Sequence, residues 1–400
     1  MNESLSVKAV SLWIASLLVV NFSLVRPLVG EESTDTPVGE SGGCVLATEK
    51  FSKALTLPEG SRSEQKDLYQ EAIGACPGYR SALYNLGLIY YEEKDFEKAR
   101  EKLLAALDTG SDRDVYVALG NVYLSQGDSK EAAEYFRKAT QNSGDDVRGY
   151  VGLAVISEQK GDIAEAEDSL RQALQHNTRS QEVYLALGRV LEKKKEKPEA
   201  LTSYESAERL GPSDAGITNA IARLYEEQGK EQEALRYYRK ARLLDEKSGD
   251  SILGLARLQF KAGERQGAAD FLAEREEDLA SSPLSLGKAA LLLADEGLLD
   301  KSRVFYQHAV RLASQDADVL AVAALAAAYC KDMEEGEKLF RQALLIRADD
   351  VAILNNLAVL LEAKGDNKAA AELYRKVLKI EPGNELAQRN VNRLKGRFDS

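Results

Sequence analysis

The sequence predicts an all-α solenoid of about ten stacked helical hairpins, closed by a C-terminal capping helix. Three observations predict it. Ala, Leu, Glu and Lys, which lose little side-chain freedom in a helix, abound, while only 8 prolines interrupt 400 residues. A pattern of small and large residues returns about every 34 residues, the step from Ala99 to Ala132 being one shorter than those that follow. A glycine recurs inside most units at Gly127, Gly161, Gly229, Gly263, Gly297 and Gly365, where a chain leaving a helix takes the left-handed conformation that glycine adopts cheaply.

The chain opens with an apolar run. Residues 9–25, AVSLWIASLLVVNFSLV, carry no charge and lie between Lys8 and Arg26, the pattern of a membrane-targeting segment. As a helix they would span roughly 26 Å, against about 30 Å for a hydrocarbon core, so residues 1–30 read either as a cleaved signal peptide or as a retained N-terminal anchor. Leu28-Val29-Gly30 before Glu31 supplies a small residue only at the last position. Both readings put the bulk of the chain outside the cytoplasm, periplasmic, secreted or membrane-anchored through residues 9–25. Residues 31–43, EESTDTPVGESGG, are too polar to order themselves and are expected to form a flexible linker.

Beyond the linker the repeats begin. A looser hairpin is expected over residues 44–79, keeping Tyr69, Ala72 and Pro77 of the pattern, and nine regular units over 80–383. In their first helices a small residue follows a large one at Leu86-Gly87, Leu119-Gly120, Leu153-Ala154, Leu187-Gly188, Ile221-Ala222, Leu255-Ala256 and Leu357-Ala358. Their second helices carry a small column, Ala99, Ala132, Ala166, Ala200, Ala234, Ala268, Ser302, Gly336 and Ala370. Four residues further stands a large one: Leu103, Phe136, Leu170, Tyr204, Tyr238, Leu272, Tyr306, Phe340 and Tyr374. Small residues let two helices cross closely, and the large ones fill the space around the contact. Pro77, Pro212 and Pro382 end units, because proline cannot extend the hydrogen-bond ladder. Arg275 replaces the closing alanine of unit 249–282, which marks it as a place of local distortion. Residues 384–400 supply the cap and tail, with Leu386, Val391 and Leu394 as its expected apolar face.

These Leu-Gly, Ala, Tyr or Phe, and Ala positions make the chain resemble the tetratricopeptide-repeat family, and in particular its exported or membrane-anchored bacterial multi-repeat scaffolds. The resemblance implies a right-handed superhelix whose concave groove, lined by the first helix of each pair, binds other proteins or peptide segments. On the face the family turns inward stand Arg189, Arg223 and Arg257, one in each of three consecutive units, a ladder suited to an acidic ligand. The competing reading pairs the first two with Glu192 and Glu226, three residues on. Asn85, Asn121, Asn219, Asn355 and Asn356 fall on the same face, where the family uses asparagines to hold peptide backbones. They form no continuous row.

The search for catalytic chemistry yields no nucleophile with a base and an orienting group. His176 and His308 lie on second helices of different units without partners at useful spacing, and no metal, phosphate or dinucleotide motif is present. No enzyme activity, cofactor or metal is expected. A net charge of -12 disfavours nucleic acid. The run Lys193 to Lys195 with Lys197 falls in a turn and reads as solvated. Cys44 and Cys76 are brought to the same end of the first hairpin, within reach of a disulfide that an oxidising compartment would favour, and Cys330 reads as a small core residue. The function expected is a non-enzymatic scaffold of the cell envelope or secretory space. The alternative is a regulatory or substrate-recruiting subunit of a separate envelope enzyme complex, acting in glycan, polysaccharide or secretion chemistry.

Overall fold

The structure, a computed structural model, describes residues 42–58, 60–141 and 146–398. The segment 9–25 and nearly all of the expected linker lie outside them. Every regular element among the described residues is a helix. Two compact units divide the chain, meeting at Pro212 and Ser213 in sequence.

The N-terminal unit holds α1 (Gly42–Leu55), α2 (Arg62–Ala75), α3 (Arg80–Glu92), α4 (Phe96–Asp108), α5 (Arg113–Ser125), α6 (Ser129–Thr140), α7 (Arg148–Lys160), α8 (Ile163–His176), α9 (Gln181–Lys193) and α10 (Lys197–Leu210). The C-terminal unit holds α11 (Ala215–Glu227), α12 (Glu231–Leu244), α13 (Gly249–Lys261), α14 (Arg265–Glu274), α15 (Glu276–Ala280), α16 (Pro283–Asp295), α17 (Leu299–Leu312), α18 (Ala317–Tyr329), α19 (Met333–Ile346), α20 (Val351–Ala363), α21 (Asn367–Ile380) and α22 (Glu385–Phe398). Within each unit consecutive helices pair as antiparallel hairpins, and each second helix packs on the next first helix. Helix α1 starts at Gly42, two residues inside the segment expected as linker.

Burial follows the repeat. The small column is fully buried from Ala99 to Ala370, and the large column beside it, from Leu103 through Phe136, Tyr238 and Phe340 to Tyr374, is buried in every unit. The ring of Phe136 shows why the first-helix partner must be small. A Cβ on Gly120 would stand 2.6 Å from the ring, and one on Gly152 of the following hairpin 2.5 Å, so the ring is held from both sides. Ser302 fits the small column because its hydroxyl donates to Ala290 O at 2.8 Å.

Turns and caps repeat as well. All six turn glycines have positive φ, from 71° at Gly297 to 88° at Gly365, and three units put a lysine there instead: Lys94, Lys195 and Lys331, with φ of 61°, 68° and 60°. Helices begin on side chains that accept from the first free N–H groups, among them Asp112, Ser180, Asp214, Asp316 and Asp350 before first helices and Asp95, Asp128, Asp162 and Asp366 before second ones. The 249–282 unit is distorted where its closing alanine is missing: the second helix stops at Arg275 and resumes as the short α15.

The cap corrects one expectation. Val391 and Leu394 of α22 are buried, but the third contact is Ala387, fully buried, while Leu386 is 41% exposed. Ala387 lies four residues before Val391 and continues its stripe; Leu386 is one position out of phase, about 100° around the helix.

Candidate interaction surface

Each first helix packs its small and large residues inward and leaves one stripe reaching solvent. The sequence-derived candidates fall on or beside these stripes, and the structure sorts them. Asn85 of α3 is buried, and its amide donates to Ser81 O of its own helix at 2.8 Å. Asn121 of α5 is buried too. On α11, Asn219 is buried and donates to Ser248 Oγ at 2.9 Å, tying that helix to the start of α13, while its Oδ1 accepts nothing among the described residues. Asn356 of α20 is partly exposed. Its neighbour Asn355 is 9% exposed, and its carboxamide oxygen has no hydrogen-bond partner among the described residues.

Arg223 and Arg257 are engaged within the protein. Arg223 pairs with Glu227, four residues on, at 3.1 Å, and not with Glu226. Glu226 turns instead toward the next hairpin, where Arg257 holds it through two hydrogen bonds, Nε to Oε1 at 3.0 Å and Nη2 to Oε2 at 2.8 Å. The Tyr238 hydroxyl donates to the same carboxylate at 2.9 Å. Burial alone would raise the pKa of Glu226, but the Arg257 hydrogen bonds and charge outweigh it and hold the carboxyl below its ordinary value; burial pushes the Tyr238 hydroxyl up. The same Glu, Tyr and Arg spacing recurs at Glu362, Tyr374 and Arg393, and Arg393 Nη2 donates to Glu362 Oε2 at 2.7 Å. In the C-terminal unit, then, Arg257 and Arg393 fasten a hairpin or the cap to the hairpin before it. Arg189 of α9, in the N-terminal unit, is partly buried, and Glu192 on the same helix accepts from the Tyr204 hydroxyl at 2.8 Å.

The column that begins with the arginines does not end with them. Carrying the same interval on from Arg257 gives Leu291, Leu325 and Val359, each partly exposed like the arginines before them. Sequence reading missed this continuation because a partly exposed leucine carries no chemical flag; only its register with Arg257 marks it. Of the remaining candidates, Cys44 at the start of α1 and Cys76 after α2 are joined as a disulfide with their Cα atoms 4.9 Å apart, and Cys330 is buried beside Ser302. His176 meets the Tyr150 hydroxyl at 2.9 Å and His308 meets Glu276 at 2.6 Å. The lysine run is engaged in ion pairs, Lys193 with Glu158 and Lys194 with Glu167 and Glu196. Among the described residues no three His, Cys, Asp or Glu side chains gather where they could hold a metal ion.

Comparison with known proteins places the architecture. Residues 321–385 match the model described as Tetratricopeptide repeat. Residues 45–291 match the model described as Cilia and flagella-associated protein 70 C-terminal domain, also a tetratricopeptide-repeat domain. The chain belongs to the tetratricopeptide-repeat family. This tetratricopeptide-repeat chain is 32% identical over 84 residues to BBSome complex member BBS4 of Mus musculus, and 31% identical over 84 residues to the same protein of Bos taurus. Each match covers 21% of this chain and only 16% of the relative's length. Among solved structures it is similar to yeast Tom70, with a TM-score of 0.56 and 14% identity over 88% of both chains, a likeness of fold alone.

Proposed function

We propose that this tetratricopeptide-repeat chain is a non-enzymatic adaptor that binds a segment of another protein along the solvent-facing stripes of its first helices. Proteins of the family generally mediate protein–protein interaction. One observation carries the reading for this chain: hairpins that keep the same residue types down the buried small and large columns of their second helices differ in the partly exposed first-helix column, where Arg223 and Arg257 give way to Leu291, Leu325 and Val359. Packing fixes the buried second-helix columns, whereas the half-exposed column meets solvent on one side and is free to differ from unit to unit. An acidic segment would be a poor fit to Arg257, since it would have to displace Glu226 from two hydrogen bonds, and at Arg223 it would compete with Glu227.

The test is site-directed photocrosslinking in cells. A photoreactive residue at position 291 or 325, both in the C-terminal unit, should trap a partner whose crosslinked peptide is one contiguous segment. The same residue at Leu345, 87% exposed on the second helix α19, should not. Equal trapping from all three positions rejects the reading.

The adaptor is proposed to work in the cell envelope or secretory space. Two features support this, the apolar run at 9–25 and the Cys44–Cys76 bond, which an oxidising compartment favours. Among the described residues no helix is long and apolar enough to cross a membrane. Cell fractionation with N-terminal sequencing decides the matter, and recovery of the chain in the cytosol with residues 1–30 intact rejects an exported site.

A further inference from the structure

We propose that the outward face of α12 is a docking site for an anionic lipid surface, with Leu243 entering the headgroup boundary and Arg236 and Arg239 meeting lipid phosphates. The site lies on a second helix rather than on the first-helix stripes assigned to a partner protein, and it rests on observations of its own. Arg236, Arg239, Lys240 and Leu243 stand at i, i+3, i+4 and i+7 and therefore share one face of the helix. Leu243 is 85% exposed, and Leu244 beside it 45%. Arg242 and Lys247 add positive charge around the leucines, against Glu233 at the head of the helix and Asp245 and Glu246 after its end.

The state of its arginines sets this face apart from its counterpart on α19. There the repeat interval places Lys338, Arg341 and Leu345 at the positions of Arg236, Arg239 and Leu243. Both cations of α19 are answered within the helix, Lys338 by Glu335 at 3.0 Å and Arg341 by Glu337 at 2.9 Å. In α12 Leu235 stands where α19 has Glu337, and Arg239 has no carboxylate partner among the described residues. Arg236 lies over the Tyr237 ring, 5.1 Å from its centre, and Arg242 lies 5.9 Å from the centre of the Phe271 ring. A guanidinium resting on a ring keeps the N–H groups of its edge for a further acceptor, and its planar fork suits phosphate oxygens.

Charge and apolar surface together select the occupant. An acidic protein segment or a nucleic-acid backbone would answer the arginines and leave Leu243 against charge, with no gain from covering it. A bilayer interface offers both partners at adjoining depths: phosphates at the level of the headgroups, and acyl carbon just beneath, where a protruding leucine loses its contact with water. The arginine stems can run along that boundary while their charged ends return to the headgroups. The same chain carries the apolar run at 9–25 between Lys8 and Arg26, the pattern of a membrane-targeting segment, so a bilayer is a surface it is expected to meet.

The experiment places an environment-sensitive nitrobenzoxadiazole label at Leu243→Cys of the full chain; Cys44 and Cys76 are joined and Cys330 is buried, so the label goes to the new thiol. The apolar run is present in this chain, and the readout is therefore local to α12 rather than total lipid binding. The labelled chain is titrated with vesicles of phosphatidylcholine alone, with vesicles of equal parts phosphatidylcholine and phosphatidylglycerol, and with polyglutamate. Emission should brighten and shift to the blue with the mixed vesicles and stay unchanged with phosphatidylcholine and with polyglutamate. Arg236→Gln together with Arg239→Gln should raise the lipid needed for half the change by about fivefold per cation lost. A label at Leu345→Cys should respond to neither vesicle. No response, an equal response to both vesicles or from both label positions, or an unchanged titration in the double arginine variant overturns the proposal. A response to polyglutamate without one to vesicles assigns the face to an acidic partner and overturns it as well. The adaptor reading fails separately, if crosslinking from positions 291 and 325 traps nothing.

Discussion

Lys94, Lys195 and Lys331 sit at φ near +60°, where every other regular unit has glycine. For an L-residue that conformation costs roughly 1–2 kcal/mol, while glycine loses some of the advantage through its freer unfolded state. Replacing any one of the three by glycine is therefore expected to raise stability by about 0.5–1 kcal/mol, read as a shift in the urea midpoint. The turn column was legible in the sequence, since six glycines at constant spacing outweigh three exceptions. Individual polar side chains were not. Asn85, read as a groove residue, spends its amide on Ser81, and Glu226, read as a neighbour of Arg223, belongs to Arg257. On a helix a partner three or four residues away is visible in the sequence; one in the next hairpin competes for the same atom and is not.

At the scale of the element, that choice of partner makes Glu226 a fastener between α11, α12 and α13. Its carboxyl is held below the ordinary value in the folded chain and returns to about 4.3 on unfolding. The unfolded state thus takes up the proton first as pH falls. The contribution of the Arg257–Glu226 contact is present above that unfolded pKa and is lost as pH drops through the lower, folded value. Melts at pH 7, 5, 4 and 3 should show Glu226→Gln less stable than the native chain at pH 7, by about 1–3 kcal/mol given that the guanidinium is partly exposed, with the gap closing below pH 4. The first hairpin has its own fastener. The disulfide closes α1 onto α2 across a separation of 32 residues, a constraint worth about 3–4 kcal/mol in the chain-entropy account. Cys44→Ser is expected to abolish hydrogen-exchange protection in α1 and α2 and spare α5 and α6, and in the native protein neither thiol should alkylate without reduction. If protection in α1 is unchanged, the bond is not what holds that hairpin.

For the molecule as a whole, stability is a sum over hairpins and their nearest-neighbour contacts, so unfolding proceeds by segments and a single midpoint does not describe it. The end of the stack is where this is easiest to see. Helix α22 covers the last hairpin with Ala387, Val391 and Leu394, and Arg393 secures it to Glu362. A chain ending at Gly383 would bare Tyr374 and Val377, and it is expected to lose exchange protection in α20 and α21 before any helix of the N-terminal unit and to self-associate. Protection that falls evenly across all hairpins would contradict the segmental account. The sequence by itself determined the helical repeat, its hairpin register, the buried small and large columns and the left-handed turns, because each depends on contacts within one unit or between copies at fixed spacing. Only the tertiary structure decided that Ala387, not Leu386, seals the last hairpin, that Arg257 pairs with Glu226 of the hairpin before it, and that Asn355 is buried with an unanswered oxygen. Those outcomes depend on which of several nearby groups lies closest across a helix interface, and that distance is set by packing in three dimensions rather than by separation along the chain.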